Sequence, residues 1–466
     1  MTLSHPDGNP SITQLPDQED LVAVSPTTGA AYVPVDEEAQ EDRDFVQPPG
    51  RGKAVFALGT SQAIDNSEGG ISKTFFPQIM VAFGVGNAGL GLINALSMYA
   101  RMIFGPVWAM AADRFGRKKI LFIVTGLWGL WTVATGFAQT WNQLLVLYGI
   151  SLVGTVASEP IVNGLLGSLY RKSERGKAFG AIRGTSSLLG MALTPAIGQL
   201  GDNPNGWRYA MMVMGVLSIV SGLLILAFVK EPEKAERISD DPDAGMFKLS
   251  DAAKLFKIPT ITATAFMLPL ITSMVLFGFM GKYWAVELGY GVKNAAYLYT
   301  IFQAGSMLSA FLGGFLADFF VRKMGHKGRV ALFQLYALTF AAMTFLAFQV
   351  SWGRGIYYVV VFLLGLIFSI GFSGCVLPMV SSVCPKQLSA TSFAVLFSLI
   401  QGFLTATISI FVGHIADDIG LQKTLFWFVT IPYALNAVYW FIFYRIYPRD
   451  VARQAERTRL IEQGKF

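Results

Sequence analysis

Gly105-Pro-Val-Trp-Ala-Met-Ala-Ala-Asp113-Arg-Phe-Gly-Arg117-Lys-Lys-Ile120 is the stretch that decides the fold of this chain. A long apolar run stops at an aspartate and then continues through a glycine into three consecutive basic residues. Lys and Arg collect where membrane helices emerge on the cytoplasmic side. The stretch therefore predicts the cytoplasmic end of one membrane helix and the start of the next.

The same pattern returns later in the chain as Gly314-Phe-Leu-Ala-Asp318-Phe-Phe-Val-Arg-Lys-Met-Gly325-His-Lys-Gly-Arg329. The two copies occupy corresponding places in two halves of the sequence, which indicates an internal repeat. Internal repeats are typical of secondary transporters, whose two bundles move against each other around a central site.

The doubled stretch resembles the major facilitator superfamily, whose loop between helices 2 and 3 carries Gly-x-x-x-Asp-Arg-x-Gly-Arg-Lys. That family repeats the motif more loosely between helices 8 and 9. Here Ala109 stands at the leading glycine of the first copy, while Gly314 is present in the second. The resemblance covers roughly residues 52–446. It implies two six-helix halves that alternate access to a central solute site, and no particular substrate.

The composition independently excludes an ordinary soluble protein. The chain has 466 residues, of which 53% are hydrophobic and only 14% charged, whereas soluble proteins carry about 25% charged residues. The net charge of +6 does not indicate nucleic-acid binding, because the basic residues lie at the ends of apolar runs. Two cysteines and three histidines without ligand spacing predict no metal site and no cofactor.

The apolar segments predict an all-α membrane protein with twelve transmembrane helices in two six-helix, pseudo-symmetric bundles. Each segment is long enough to cross about 30 Å of hydrocarbon. The predicted spans are 53–80, 86–112, 119–139, 143–168, 178–200, 207–229, 259–282, 295–319, 329–350, 355–380, 387–414 and 422–445. Two soluble helical domains are excluded, because helices this apolar on every face would leave no solvated surface.

The charged segments predict the domain boundaries. Residues 1–50 have the composition of a disordered cytoplasmic tail without a cleavable signal peptide. Residues 51–230 and 258–446 form the two bundles, and 447–466 form a second tail. The linker 231–257 is predicted to hold an amphipathic helix over 247–257, and 451–460 has a similar pattern.

The loop charges predict a multi-pass protein of the cell membrane with both termini in the cytoplasm. From Arg51 onward, this orientation places 27 Lys and Arg on the cytoplasmic side and five on the other. The five are Arg208, Lys282, Lys293, Arg354 and Lys423.

Charged residues inside the predicted spans are the candidates for function, because a charge in lipid is costly and rare. They lie almost entirely in the first half: Asp65, Glu68, Lys73, Arg101, Glu159 and Arg183. Counting from the cytoplasmic helix ends, all except Lys73 lie at depths of roughly 9–23 Å, in one slab at or just inside the midplane. The first half is therefore expected to handle charge, while the second shapes the cavity.

Asp65 and Glu68 are predicted to couple transport to protons. They are three residues apart and share a helix face. Two carboxylates one turn apart in lipid cannot both ionise cheaply, so one is expected to exchange a proton while the other pairs with a base. We assign the exchange to Glu68 and to Glu159, and the pairing with a base to Asp65.

The arginines are predicted to divide binding from gating. Arg101, nearer the midplane, is assigned to the substrate, together with the neutral Gln303 and Gln401 of the second half. Arg183, nearer the inner surface, is assigned to a structural or gating ion pair, or to snorkelling toward the headgroups. Glu159 has a second interpretation as the partner that neutralises Arg101 or Arg183. For Lys73, snorkelling toward the outer surface is as plausible as a functional role.

Asp113 and Asp318 are assigned to the conformational gate, together with Arg117 and the other basic residues of their loops. In this role the aspartates cap and pair with neighbouring helix ends on the cytoplasmic side, and they do not touch the substrate.

The stretch Gln62-Ala-Ile-Asp-Asn-Ser-Glu68 and the residues after it resemble helix 1 of spinster-like and organic-anion symporters. Those relatives place an acid about nine residues before a proline, as Glu68 precedes Pro77, and follow the acid with arginine where this chain has Gly69. Gly190, Pro195 and Gly198 also match a stretch associated with exporters, although Thr194 and Gln199 do not.

The sequence thus predicts proton-coupled transport of a small organic solute of anionic or amphiphilic character. The expected partners are that solute, protons and membrane lipid, with no nucleic acid, and the expected state is a monomer. A proton-antiport exporter and an uncoupled facilitator stay open. A receptor or an enzyme is not expected, because no signalling domain and no catalytic constellation is visible.

Overall fold

The computed structural model describes residues 23–24, 31–32, 50–170, 172–230, 253–385 and 388–462. Almost all of them are helical. Two short strands, β1 (Ala23–Val24) and β2 (Ala31–Tyr32), form one antiparallel pair. The predicted N-terminal tail and the predicted linker helix lie mostly outside the described residues.

Six helical spans form the first half. They are α1 (Arg51–Thr74 and Phe76–Phe83), α2 (Asn87–Phe115), α3 (Arg117–Leu121, the π-helical turn Phe122–Leu127 and Gly129–Thr135), α4 (Trp141–Thr155 and Ser158–Leu169), α5 (Lys172–Gly198 with the 3₁₀ turn Gln199–Asp202) and α6 (Gly206–Phe228).

Six more form the second half. They are α7 (Pro259–Met267, the 3₁₀ turn Leu268–Leu270, Ser273–Lys282 and the π-helical turn Tyr283–Glu287), α8 (Gly291–Met324), α9 (Lys327–Gln349), α10 (Arg354–Phe368, the π-helical turn Phe372–Val376 and Leu377–Val383), α11 (Ser389–Phe393, the π-helical turn Ala394–Ile400 and Gln401–Ile419) and α12 (Leu421–Leu425, the π-helical turn Phe426–Thr430, Ile431–Tyr439, the 3₁₀ turn Trp440–Ile442 and Phe443–Glu462).

The twelve predicted membrane helices are confirmed. Within the described part of the chain, nine spans are long and apolar enough to cross a membrane by length and composition alone. The spans α1, α3 and α5 are outside that group, and α1 carries Asp65, Glu68 and Lys73. The span α12 continues as helix to Glu462, through the second predicted amphipathic segment.

The repeated motif has the same backbone function in both halves. Gly116 ends α2 with φ 102°, and Gly325 ends α8 with φ 60°. Only glycine enters this region of φ without strain, so each motif glycine turns the chain sharply into the next span. The basic residues of the motif follow that turn directly.

Two pairs of helices join the halves. The span α2 packs along α11, and α5 packs along α8, so each pair takes one helix from each half in a pseudo-symmetric arrangement. Glycines permit the close approach of α2 to α11: a Cβ on Gly91 would collide with the carbonyl oxygen of Ser409. This seam surrounds the functional side chains.

An even number of spans brings both ends of the bundle to one face, which we call the termini face; the other is the opposite face. On the termini face, Asp450 of α12 accepts hydrogen bonds from the N and Oγ1 of Thr260, at 2.8 and 2.7 Å. Asp450 is buried there and caps the N-terminus of α7.

Candidate functional site

Glu68 is buried in a cluster of hydroxyl groups within the first half. Its Oε1 accepts from Thr132 Oγ1 of α3 at 2.5 Å, and from Ser151 Oγ and Thr155 Oγ1 of α4 at 2.7 and 3.3 Å. Ser151 and Thr155 lie in the last part of the first α4 helix, just before residues 156–157 interrupt α4. Three hydroxyls thus surround one carboxyl oxygen, inside a bundle where water is scarce.

The hydroxyl contacts around Glu68 can reverse direction. Each hydroxyl carries one proton, and Thr132 Oγ1 also lies 2.8 Å from Ser151 Oγ, while Thr155 Oγ1 lies 3.0 Å from the Ser151 carbonyl oxygen. The hydroxyls can point their protons at a carboxylate, or turn them to each other and accept one from a carboxylic acid. The cluster therefore accommodates both protonation states of Glu68 without rearranging the backbone.

Asp65 lies one turn before Glu68 and is also buried. Ser61 and Ser158 lie against its carboxyl group, and its Oδ2 is sealed from solvent with no hydrogen-bond partner. In the described part of the chain no cation lies within ion-pair distance of Asp65. The expected pairing of Asp65 with a base is therefore not formed in this conformation, because Lys73 and Arg101 point elsewhere.

Arg101, Glu159 and Arg183 form an ion triad that joins α2, α4 and α5. Arg101 Nη1 donates to Glu159 Oε2 at 3.0 Å, and Arg183 Nη2 donates to Glu159 Oε1 at 3.4 Å. The side chains are 55%, 47% and 66% exposed, respectively, so solvent reaches all three. The structure thus contains the pairing that one interpretation of Glu159 predicts. Whether Glu159 also carries a proton stays a prediction.

The triad lies where the two halves part. Just before Arg101 in the chain, Tyr99 still meets α11, with its ring centre 6.3 Å from that of Phe403 and its hydroxyl 3.4 Å from Thr407 Oγ1. Beyond this level, a Cβ at Gly105 on α2 or at Gly314 on α8 would meet no atom within 4 Å. These two glycines therefore border open space on the termini side of the triad.

Lys73 does not snorkel outward, as one interpretation of the sequence expected. It is buried, and its Nζ lies 5.6 Å from the ring centre of Phe277 on α7. The aromatic face comes from the other half of the molecule, far away in sequence. A buried cation held against a ring at the seam between the halves is a further candidate site residue.

The second half contributes a cavity of about 90 Å³ between α7, α9, α10, α11 and α12. Its lining is mostly apolar and aromatic, with a few polar groups that include Ser273, Ser369 and Gln401. Gln401 is buried at this cavity, whereas Gln303 of α8 is half-buried and does not line it. Only one of the two predicted glutamines therefore lines this cavity.

The first copy of the motif connects α2, α3 and α4. Arg117 Nε and Nη2 both lie 2.9 Å from Asp113 Oδ1, and Arg117 Nη1 donates to the carbonyl oxygen of Gly164 at 2.6 Å. Asp113 therefore orients the arginine that holds the end of α4. In the described part of the chain Asp318 forms no hydrogen bond or ion pair, and its side chain is exposed.

At the opposite face the halves are joined by polar contacts that sequence reasoning missed. Asp417 at the end of α11 accepts hydrogen bonds from the first turn of α2, and Lys293 at the start of α8 lies 3.1 Å from Asp202 at the end of α5. Gln199 Nε2 also donates to Tyr297 Oη at 2.7 Å. In the sequence, Asp202 and Asp417 each follow an apolar run and precede a turn. This pattern indicates the end of a helix but does not identify the residue that the acid contacts.

These contacts define the conformation. Polar contacts between the halves lie at the opposite face and near mid-depth, where they join α2 to α11 and α5 to α8. The opposite face is therefore closed. Within the described residues, no group of three or more His, Cys, Asp and Glu side chains could hold a metal ion.

A family model for the Major Facilitator Superfamily matches residues 61–406, most of the chain. The chain belongs to this superfamily. It is accordingly a multi-pass membrane protein that transports a small solute, and it is not an enzyme. The resemblance of the doubled motif to this superfamily is confirmed.

Two members of the superfamily with related sequences are named as transporters of organic anions. The chain is 27% identical to the probable sulfoacetate transporter SauU of Cupriavidus necator, over 59% of this chain and 68% of that protein. It is 23% identical to the probable galactarate/D-glucarate transporter GudP of Bacillus subtilis, over 71% of this chain and 79% of that protein.

Among solved structures, the fold is similar to a bacterial homologue of the human lysosomal transporter spinster in an inward-facing, unoccupied conformation. The TM-score is 0.72 at 17% identity, and the match covers 87% of this chain and 99% of that one. This similarity shows the fold, including two six-helix bundles, and the helix 1 resemblance pointed to the same group.

Proposed function

We propose that this superfamily member is a secondary active transporter that moves a small organic anion by alternating access, driven by protons. In this proposal the termini face is cytoplasmic and the membrane is the cell membrane, because Lys and Arg concentrate on that face. The conformation described above is then closed on the outer side.

The observation that carries proton coupling is the buried Glu68 in its reversible hydroxyl cluster. The cluster joins α1 to α3 and α4, next to the break in α4 that precedes Glu159. A carboxyl group that is accommodated in both protonation states can take up a proton from one side and release it to the other. Asp65, one turn away and also buried, makes two simultaneous charges costly and favours exchange.

The anionic substrate is supported by the charge at the seam between the halves and by the named relatives. Arg101 and Arg183 share a single carboxylate, Glu159, and Lys73 packs against the Phe277 ring, so these four ionic groups carry two more positive than negative charges. Sulfoacetate, galactarate and D-glucarate, named for the relatives, are all anions. Arg101 takes the acidic group in this proposal, and Gln303 and Gln401 contribute hydrogen bonds from the second half.

Uptake into proteoliposomes tests coupling directly. With the membrane potential clamped at zero, a pH gradient should concentrate a transported organic anion inside the vesicles, and collapse of the gradient should release it. Uptake that only equilibrates would identify a facilitator, and accumulation on the reversed gradient would identify a proton antiporter.

A further inference from the structure

Lys73 is a buried cation without a carboxylate partner. The residue is only 7% exposed. Within the described part of the chain, its ammonium group forms no hydrogen bond or ion pair and lies only against the Phe277 ring. Lys282 of α7 is buried to the same degree, yet its Nζ lies 3.4 Å from Glu287 Oε1. A buried charge is costly unless a counter-charge meets it, so the environment of Lys73 is incomplete.

The acids of α1 do not complete that environment. Glu68 is five residues before Lys73, about 140° around the helix, and its carboxyl group faces the hydroxyls of α3 and α4 inside its own half. Lys73 faces α7 in the other half. The neighbouring ionic group is Arg101, a second cation whose one carboxylate, Glu159, is shared with Arg183. An anion from outside the protein is the missing partner.

The cavity of the second half begins one turn of α7 away from Phe277, the residue that Lys73 contacts. Ser273 and Met274 line the cavity and Phe277 follows Ser273 by four residues, so they share one face of α7, about 6 Å apart along the axis. Phe277 also leads to the cavity by aromatic contacts. Its ring centre is 6.2 Å from that of Phe302, which is 5.0 Å from that of Phe368 on the cavity wall.

The lining of this cavity decides what kind of anion fits. Most of the wall area is aromatic and aliphatic, although five of the eleven lining residues carry a hydroxyl or amide group: Ser273, Tyr336, Ser369, Gln401 and Tyr433. A sugar acid would bury more hydroxyl groups than this small polar area can pair, and each unpaired hydroxyl is costly. A planar ring would instead pack against phenylalanine faces.

We infer that Lys73 joins Arg101 in binding the acidic group of the substrate and that the cavity of the second half holds a planar, apolar ring. The substrate class is therefore a small aromatic or unsaturated cyclic carboxylate, unlike the hydrophilic acids named for the two relatives above. This inference rests on the proposed function, because it takes the seam as an anion site, but it does not depend on proton coupling.

Equilibrium binding of radiolabelled benzoate to the purified protein at one fixed pH tests the inference without transport. Wild type should bind benzoate, and neither benzamide nor glucuronate should displace it at equal concentration. Lys73→Met should weaken benzoate binding about tenfold to hundredfold, the loss of one charge-assisted hydrogen bond. Lys73→Arg keeps the charge and should retain most of the affinity. Met274→Trp fills the cavity and should weaken benzoate binding as well.

Lys282→Met is the matched control, since it removes an equally buried lysine that already has a partner; it should leave benzoate affinity within about twofold. Two results overturn the inference alone: unchanged affinity in Lys73→Met, or wild-type binding of glucuronate in preference to benzoate. Failure of wild type to bind either anion overturns it together with the anionic substrate of the proposed function.

Discussion

The carboxylate of Asp417 caps the helix that begins at Asn87 in the other half of the molecule. Its Oδ1 accepts from the N and Nδ2 of Asn87 at 2.6 and 2.9 Å, and its Oδ2 accepts from the N of Ala88 at 2.9 Å. A carboxylate at a helix N-terminus satisfies free N–H groups and the positive end of the helix dipole. Because donor and acceptor belong to different halves, the cap exists only while the opposite face is closed.

Asp417→Ala should therefore open the opposite face. Loss of a helix cap costs about 0.5–2 kcal/mol, which shifts the ratio of closed to open molecules by roughly 2- to 30-fold. Double electron-electron resonance between spin labels at Gln139 and Ser351, after replacement of Cys375 and Cys384, reports this change as longer distances. Asp418→Ala is the control, because among the described residues the α2 donors bond to Asp417 and not to Asp418. Equal distributions in Asp417→Ala and wild type would contradict the role of the cap.

Asp113→Asn is expected to act in the other direction. Asp113 orients Arg117, whose Nη1 holds the carbonyl oxygen of Gly164 at 2.6 Å. Exposed ion pairs contribute about 0.2–1 kcal/mol, so the population open at the termini face should rise up to about fivefold. Labels at Lys119 and Lys327 report it. A distance distribution identical to wild type would leave the motif aspartate without a gating role.

Arg101→Ala and Arg183→Ala should separate binding from turnover. Both arginines contact Glu159, at 3.0 and 3.4 Å, but only Arg101 lies beside the level where α2 still meets α11. Arg101→Ala should weaken binding of the transported anion by roughly tenfold to a hundredfold, the range for a hydrogen bond to a charged group. Arg183→Ala should leave affinity within about threefold and slow exchange. Calorimetry measures the affinity for the anion, and counterflow measures the rate of exchange. Equal losses of affinity in the two variants would show that the depth of an arginine in the membrane does not identify the one that binds the substrate.

The sequence predicted the features that depend on local pattern. The doubled motif located the turns at Gly116 and Gly325 and the contact between Asp113 and Arg117, because both follow from residues a few positions apart. Apolar length predicted all twelve spans. The three-residue spacing of Asp65 and Glu68 correctly placed both on one buried stretch of α1.

The features that the sequence did not predict are made by distant residues. Lys73 was expected as a base that pairs with an acid of α1, but it packs against Phe277 of the other half, and no local signal joins these two residues. The cap of Asp417 on α2 likewise spans more than three hundred positions. The π-helical turns within α3, α7, α10, α11 and α12 also went unpredicted, since one inserted residue per turn leaves apolar composition unchanged.

Glu68→Gln tests the central claim most directly. Glutamine keeps the size of the side chain and can still hydrogen-bond to Thr132 and Ser151, but it cannot exchange a proton. In proteoliposomes with a clamped membrane potential, the variant should exchange labelled for unlabelled anion at equal pH and should no longer concentrate it on a pH gradient. Asp65→Asn serves as the comparison on the same helix. Accumulation by Glu68→Gln at the wild-type level would contradict the account and make Asp65 the next candidate for the proton.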